Sequence, residues 1–101
     1  MRMPMRPLAL GPLLLLAACG PRLSAEAIAG HTVMVTNDEN REVTIQRIVA
    51  NGDDARPECV DAPEQTLGAG RTYTVTFFTC DTVTTVRVET DVGTARLTIS
   101  E

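Results

Sequence analysis

Side chains able to do acid–base or nucleophilic chemistry are few in this chain. The only histidine is His31, and the only serines are Ser24 and Ser100. A serine nucleophile needs a neighbouring base and a turn that exposes its hydroxyl, and neither serine stands in such a motif. His31 lies where an alanine-rich segment meets a strand-like segment, so we expect a solvated side chain. The sequence therefore predicts no catalytic residues and a protein that is not an enzyme.

Carboxylates could instead bind a cation. The acidic segment at residues 38–40 lacks the alternating oxygen spacing and the glycine of a calcium loop. A better group, made of Asp53, Asp54, Glu58 and Asp61, falls within one loop. Because loop acids are more often simply solvated, the sequence favours no metal site and no cofactor.

The first eighteen residues have the three parts of an export signal. They begin with positive charges at Arg2 and Arg6, continue with an apolar run over residues 8–18, and end in small residues. The run is about eleven residues long, whereas a membrane-spanning helix needs about 20. A transmembrane helix is therefore not expected. The start of the chain could be any of three methionines, Met1, Met3 or Met5.

The segment Leu16-Ala17-Ala18-Cys19 resembles the lipobox of bacterial lipoprotein precursors, in which the cysteine is lipidated and becomes the new N-terminus. The resemblance implies a signal peptide over residues 1–18 and a lipid anchor, with palmitate among its chains, on Cys19. Lipoproteins of this type carry two or three acyl chains, which anchor firmly where a single chain binds reversibly. Under the enterobacterial sorting rule, Gly20 in place of an aspartate implies the outer membrane, with the protein facing the periplasm. A secreted protein with a coincidental cysteine, or a cytosolic protein with an apolar N-terminus, remains an alternative.

Composition limits the class of protein that follows the signal. The chain has 101 residues, and 83 remain when residues 1–18 are removed. This length suffices for one small domain with a marginal core. Two of the nine arginines lie in the signal, so seven face thirteen acidic residues for a net charge of −6, and lysine is absent. A domain of this charge lacks the basic surface of nucleic-acid-binding proteins and would not adsorb to anionic lipid head groups. Nucleic acid is therefore not an expected partner.

Two cysteines, Cys59 and Cys80, remain once Cys19 is assigned to the anchor, and an even number can pair in an oxidising compartment. They are twenty-one positions apart and form no C-x-x-C motif, so a redox or metal role is the lesser alternative. We expect a disulfide that stabilises the domain by about 3 kcal/mol through loop closure.

The chain after the signal divides into a tether and a folded domain. Residues 19–30 hold proline, glycine and several alanines, with little to fold around, and are predicted to be a spacer. Over much of residues 31–101, apolar and polar residues alternate with the period of a strand, and threonine, valine and isoleucine are abundant. The predicted fold is all-β, a small antiparallel sandwich with Ig-like character or a small barrel, with one disulfide.

Five strands are expected, and a short sixth strand is a further candidate. Turn residues at 37–40 separate the first two, so residues 32–50 predict a hairpin. A bulge is predicted near Gln46-Arg47, because Ile48 falls out of step with the preceding alternation. Residues 51–63 are expected to be a loop. The later strands are predicted at residues 72–80, 83–91 and 94–100, with the short candidate near residues 64–67.

Threonines form one group of side chains that could make a binding face. They would line a flat, hydroxyl-rich surface on neighbouring strands, which could bind a sugar or another sheet edge, or simply face solvent. The group is Thr72, Thr74, Thr76, Thr79, Thr82, Thr84 and Thr85.

These features predict a membrane-anchored, non-catalytic structural or protein-interaction module of the cell envelope, whose partner is another envelope protein. The alternative is a periplasmic inhibitor or a lipoprotein that binds a small ligand or carbohydrate. Lipoproteins that inhibit lysozyme are similar to this chain in size and anchor only, because it has no tryptophan and lacks their inhibitory loop. Residues 41–98, with the corner Phe78-Thr79-Cys80-Asp81, also resemble a small family of bacterial envelope β-domains that has no assigned function.

Overall fold

The computed structural model describes residues 20–99, so the predicted signal peptide at residues 1–18, Cys19 and Ser100 lie outside the described residues. Within that range the chain forms strands, turns and one short 3-10 turn at Pro57–Cys59. The strands are β1 (Leu23–Ala29), β2 (Thr32–Asn37), β3 (Val43–Ala50), β4 (Val60–Asp61), β5 (Gln65–Leu67), β6 (Thr72–Thr76), β7 (Thr85–Thr90) and β8 (Gly93–Thr98).

The strands form two antiparallel sheets. Sheet A has the order β1-β2-β6. Sheet B has the order β4-β3-β7-β8, and β5 pairs with β3 further along the edge that β4 occupies. One cluster of buried side chains from both sheets fills the space between them, including Val33 and Val35 from sheet A and Ile45, Ile48 and Val88 from sheet B. The predicted small antiparallel sandwich with one disulfide is therefore confirmed.

Alternation identified the inward-facing residues of several strands correctly. Val86 and Val88 of β7 are buried, as are Val75 and Phe77 at the end of β6. The register of β3 against β7 shifts between Ile45 and Arg47, which confirms the predicted bulge. The bulge restores Ile48 to the core, because one extra residue reverses the face to which the next side chains point.

The predicted hairpin over residues 32–50 is wrong. Strand β2 pairs with β1 and β6 in sheet A, while β3 pairs with β4, β5 and β7 in sheet B. The turn at residues 38–42 carries the chain from one sheet to the other. The apolar faces of β2 and β3 therefore lie across the core from each other, which buries both faces, whereas a hairpin would place the two strands side by side in one sheet.

The tether predicted at residues 19–30 is wrong for Leu23–Ala29, because this segment is strand β1 and pairs with β2 over its length. Leu23 and Ala25 are buried in the core, and the polar residues between and after them, Ser24 and Glu26, are exposed. The alternation was present in the sequence but is weak, because alanine buries little apolar area.

The folded part extends to Gly20 itself. Pro21 is buried, and Gly20 packs directly on the backbone of Thr94, where a Cβ atom would overlap the Thr94 carbonyl oxygen and lie 2.7 Å from its carbonyl carbon. Only glycine fits this close approach. Among the described residues, no free spacer therefore separates Gly20 from the sheets.

The sandwich has two ends, which we name by their contents. The Gly20 end contains Gly20 and the turns at residues 38–42, 68–71 and 91–92, joined by hydrogen bonds such as Asp38 N–H to the Arg22 carbonyl. The disulfide end contains the β1–β2 turn and the loops at residues 51–59 and 77–84. Hydrogen bonds from Phe77 N–H to the His31 carbonyl and from Val83 N–H to the Gly30 carbonyl connect that turn to the later loop.

Candidate functional site

The disulfide end is held together by the bond between Cys59 and Cys80, as predicted. Their Cα atoms lie 5.2 Å apart, and both side chains are buried. The bond connects the short 3-10 turn that ends the first loop to the loop that follows β6. Two long loops are therefore fixed to each other as well as to the sheets.

The same end presents the two large hydrophobic side chains that are exposed among the described residues. Phe78 is 83% exposed and Ile28 is 60% exposed. Phe77, the residue before Phe78, is buried in the core. A turn follows, closed by a hydrogen bond from Cys80 N–H to the Phe77 carbonyl, and the Phe78 ring points to solvent. Ile28 lies where the pairing of β1 with β2 shifts register, just before the turn that packs on the Phe78 loop.

Acidic side chains of the two loops at the disulfide end gather around Arg56. Arg56 contacts Asp53 at 3.6 Å, Glu58 at 3.0 Å and Asp81 at 3.5 Å. A hydrogen bond to Glu58 raises the pKa of Arg56, and the pKa of Glu58 is lowered by a backbone hydrogen bond and by Arg56. Three carboxylates share one guanidinium, so this loop pair carries a net negative charge. Asp81, the closest of them to Phe78 in sequence, has an 83% exposed side chain.

The four acids considered for calcium do not converge. Asp53 and Glu58 contact Arg56, Asp54 accepts a hydrogen bond from Arg87, and Asp61 accepts one from a tyrosine of sheet A. Among residues 20–99, no group of three or more histidine, cysteine or acidic side chains is placed to hold a metal ion. Each of these carboxylates is satisfied by a protein donor.

That tyrosine, Tyr73 of β6, donates to Asp61 of β4 at 2.8 Å. Burial, together with the hydrogen bond to Asp61, raises the pKa of Tyr73 to about 12. The bond joins the two sheets at the edge where β4 and β6 lie, so it has a structural role.

A network of charges on the outer face of sheet B was not anticipated. Arg47 donates to both carboxylate oxygens of Glu89, at 3.1 and 2.9 Å. Arg87 donates to Glu89 at 3.1 Å and to Asp54 at 3.0 Å. The register places Arg47 opposite Glu89 and Arg87 opposite Arg96. The spacing of Arg87 and Glu89 indicates that they share one face of a strand. It does not indicate their partners, because Arg47 comes from another strand and Asp54 from a loop.

We expect Glu89 to contribute to the acid sensitivity of the fold. Its pKa is lowered, first by the hydrogen bond from Arg47. The interaction therefore stabilises the domain above the ordinary carboxyl pKa of 4.5, and this stabilisation is lost as the pH falls through the lowered value. Urea unfolding between pH 7 and pH 2 should show a weaker pH dependence in Glu89→Gln than in the wild type. Glu42→Gln, at an exposed position, is the control and should keep the pH dependence of the wild type. An equal change of stability with pH in the two variants would contradict the prediction.

The remaining candidates are divided between different surfaces. His31 is half-buried, not fully solvated, and its Nδ1 atom is enclosed without a hydrogen-bond partner among the described residues. Ser24 is exposed on β1. The turn at residues 68–70 leads into strand β6, whereas a phosphate-binding glycine loop leads into a helix.

The threonine face is only partly assembled. Thr72, Thr74 and Thr76 lie on β6, beside Thr36 and Thr32 of β2. The Thr32 and Thr76 hydroxyl oxygens are 3.0 Å apart, so sheet A does present a hydroxyl-rich outer face. The prediction of one surface is wrong for the later threonines of the group, which lie in the loop at the disulfide end and on sheet B: Thr79, Thr82, Thr84 and Thr85.

Comparison of the chain with protein-family models, with curated proteins and with solved structures found no match. Residues 20–99 contain no helix of the length and apolarity that a membrane span requires. The candidate site at the disulfide end is the exposed ring of Phe78 on a cross-linked loop. Beside it in the two loops are three carboxylates around Arg56, which we call the acidic rim: Asp53, Glu58 and Asp81.

Proposed function

We propose that this chain is a bacterial lipoprotein whose β-sandwich is anchored to the outer membrane through lipid on Cys19 and faces the periplasm. Its role is that of a non-catalytic structural or protein-interaction module of the cell envelope. The observation that carries the proposal is the lipobox-like segment at residues 16–19, which ends immediately before the folded domain begins at Gly20.

The disulfide supports a location outside the cytoplasm. Disulfides persist in oxidising compartments such as the periplasm and are rare where thiols are kept reduced. The bond between Cys59 and Cys80 uses both cysteines that the anchor does not need. One assignment therefore accounts for all three cysteines.

The packing of Gly20 sets the distance between anchor and domain. Because Gly20 lies on Thr94 and Pro21 is buried, the sandwich starts one residue after the proposed lipidated cysteine. The Gly20 end would consequently face the membrane surface closely. The same packing makes Gly20 a poor site for testing outer-membrane sorting, since any side chain there also disturbs the fold.

The test is therefore made at Cys19. We expect Cys19→Ser to abolish lipidation and signal cleavage at this residue and to reduce labelling by a radioactive fatty acid at least tenfold. Intact mass spectrometry of the wild-type protein should show a fatty-acylated N-terminal Cys19, and fractionation should place it with the outer membrane. Ser24→Ala, at an exposed strand position, is the control and should behave as the wild type. A wild-type product with an intact leader, or with a processed end free of fatty acids, would refute the anchor.

A second candidate function, binding of carbohydrate or inhibition of a periplasmic enzyme, is favoured by the hydroxyl-rich outer face of sheet A. Thr72, Thr74 and Thr76 form its edge row, with Thr32 and Thr36 alongside. Lysozyme inhibition and calorimetric titration with soluble peptidoglycan fragments test this alternative. Binding that is lost in Thr74→Val would favour the alternative over an interaction module.

A further inference from the structure

We propose that the disulfide end is the docking surface of this domain, and that its occupant is a protein with an apolar socket for Phe78 edged by arginine or lysine. The inference rests on the proposed function, because it names the surface and the chemistry of the partner of an envelope interaction module. It is carried by the exposure of Phe78 and Ile28, the acidic rim, and the position of Gly20 at the opposite end.

The side chain of Phe78 projects into solvent from a loop that is held in place on both sides of the residue. Its loop is attached to the sheets through the buried ring of Phe77, the hydrogen bond from Phe77 N–H to the His31 carbonyl, and the disulfide at Cys80. An ordered loop loses little conformational freedom when a partner binds, so the area buried by the ring contributes to affinity with little entropic cost. Aromatic side chains at the centre of an interface are common hot spots.

The acidic rim selects the charge of the partner. Asp53, Glu58 and Asp81 surround Arg56, and Asp81 lies three residues after Phe78. This charge repels anionic lipid and attracts cationic side chains, which steer association from a distance. An apolar socket with a cationic edge complements the ring and the rim together.

The position of the anchor separates the surface from the membrane. Strand β1 runs from the Gly20 end to Ala29, one residue beyond Ile28, and its seven residues span about 23 Å. Phe78 and Ile28 therefore lie at the far end of the sandwich from the residue that follows Cys19. A sandwich standing on its Gly20 end presents them to the periplasm, where a second envelope protein can reach them.

The experiment uses the full chain in living cells, with benzoylphenylalanine in place of Phe78 as the photo-crosslinking probe. The control carries the same probe in place of Ala69, which is exposed in a turn at the Gly20 end. We expect the probe at position 78 to give a discrete protein adduct. The same adduct from the probe at position 69 should be at least tenfold weaker. The captured protein, once purified, should lose at least tenfold in affinity for Phe78→Ser, and several-fold for Asp81→Lys or at high salt.

Every outcome of this experiment decides the proposal. Equal labelling from both positions, an adduct with lipid from position 78, or unchanged affinity of Phe78→Ser would overturn it. Binding of the wild-type domain to vesicles of phosphatidylethanolamine and phosphatidylglycerol, lost in Phe78→Ser, would assign the tip to a membrane instead. Thermal melting of Phe78→Ser should match the wild type, since the ring is exposed. Fractionation of the same cells shows separately whether the lipid anchor itself is present.

Discussion

Replacing Asn37 with aspartate is expected to lower the free energy of unfolding by about 3 to 5 kcal/mol, the range for breaking a buried polar interaction and leaving a charge uncompensated. Asn37 is fully buried at the end of β2. Its side-chain amide donates to the carbonyls of Arg41, Leu67 and Gly68 at 2.8, 3.0 and 3.2 Å, and its carbonyl accepts from Glu39 N–H. An aspartate carboxylate cannot donate, so it would face three carbonyl oxygens as a buried negative charge.

The same interaction predicts a pH dependence for the variant. The desolvated carboxylate of Asn37→Asp would have a raised pKa in the folded state, so the domain would regain stability as the pH falls below that value. Asn37→Ala, which leaves the carbonyls unpaired without adding charge, should cost about 1 to 3 kcal/mol and should lack this pH dependence.

Guanidinium unfolding at pH 7 and pH 4 measures both effects. The matched control is Asn40→Asp, the same chemical change at an exposed position of the neighbouring turn, which should alter stability by less than about 0.5 kcal/mol. Equal stabilities for the two aspartate variants would show that Asn37 does not hold the turns together. The expected cost arises because one side chain connects the β2–β3 turn to the β5–β6 turn at the Gly20 end.

Removal of the disulfide by the double variant Cys59→Ser and Cys80→Ser is expected to cost about 3 kcal/mol, the loop-closure value for a bridge of this span. Small domains have total stabilities of about 5 to 15 kcal/mol, so a large share of the stability would be lost. The double variant is preferred because a single substitution leaves a reactive thiol that can form intermolecular bonds.

Chemical unfolding with and without reductant provides the measurement. The wild type should unfold at lower denaturant after reduction, while the double variant should not respond to reductant. Cys59→Ala with Cys80→Ala separates the cross-link from the cost of burying hydroxyl groups, because alanine introduces no polar atom into these buried positions. A double variant as stable as the oxidised wild type would contradict the prediction. If docking uses Phe78, the same variants should weaken capture even where the sheets remain folded.

The two predictions concern opposite ends of the sandwich and different physical interactions. At the Gly20 end, a buried amide satisfies backbone groups of two turns. At the disulfide end, a covalent bond fixes two loops whose outer surface is charged and aromatic. Loss of Asn37 should therefore loosen the connections between strands, whereas loss of the disulfide should chiefly release the surface that we propose for docking.

Local patterns were sufficient for part of this structure. Alternation marked Val86 and Val88 as inward-facing, because successive side chains of a strand point to opposite faces. Loss of phase at Ile48 indicated the bulge for the same reason. Residue type predicts a turn at Asn37, although this residue follows Val33 and Val35 in the same alternating row and is buried with them. A polar residue at this position predicts exposure, but the Asn37 amide is buried because the Leu67 and Gly68 carbonyls, far away in sequence, accept its hydrogen bonds.

The sequence by itself determined the strand character of most segments, the pairing of two cysteines, and the expectation of an export signal and lipid anchor. These properties depend on neighbours along the chain or on counting. Only the tertiary structure decided that β2 and β3 belong to different sheets, that residues 23–29 form a strand, and that Phe78 and its acidic rim lie opposite Gly20. Periodicity reports that one face of a strand is buried, but which other strand covers that face depends on contacts between residues far apart in the chain.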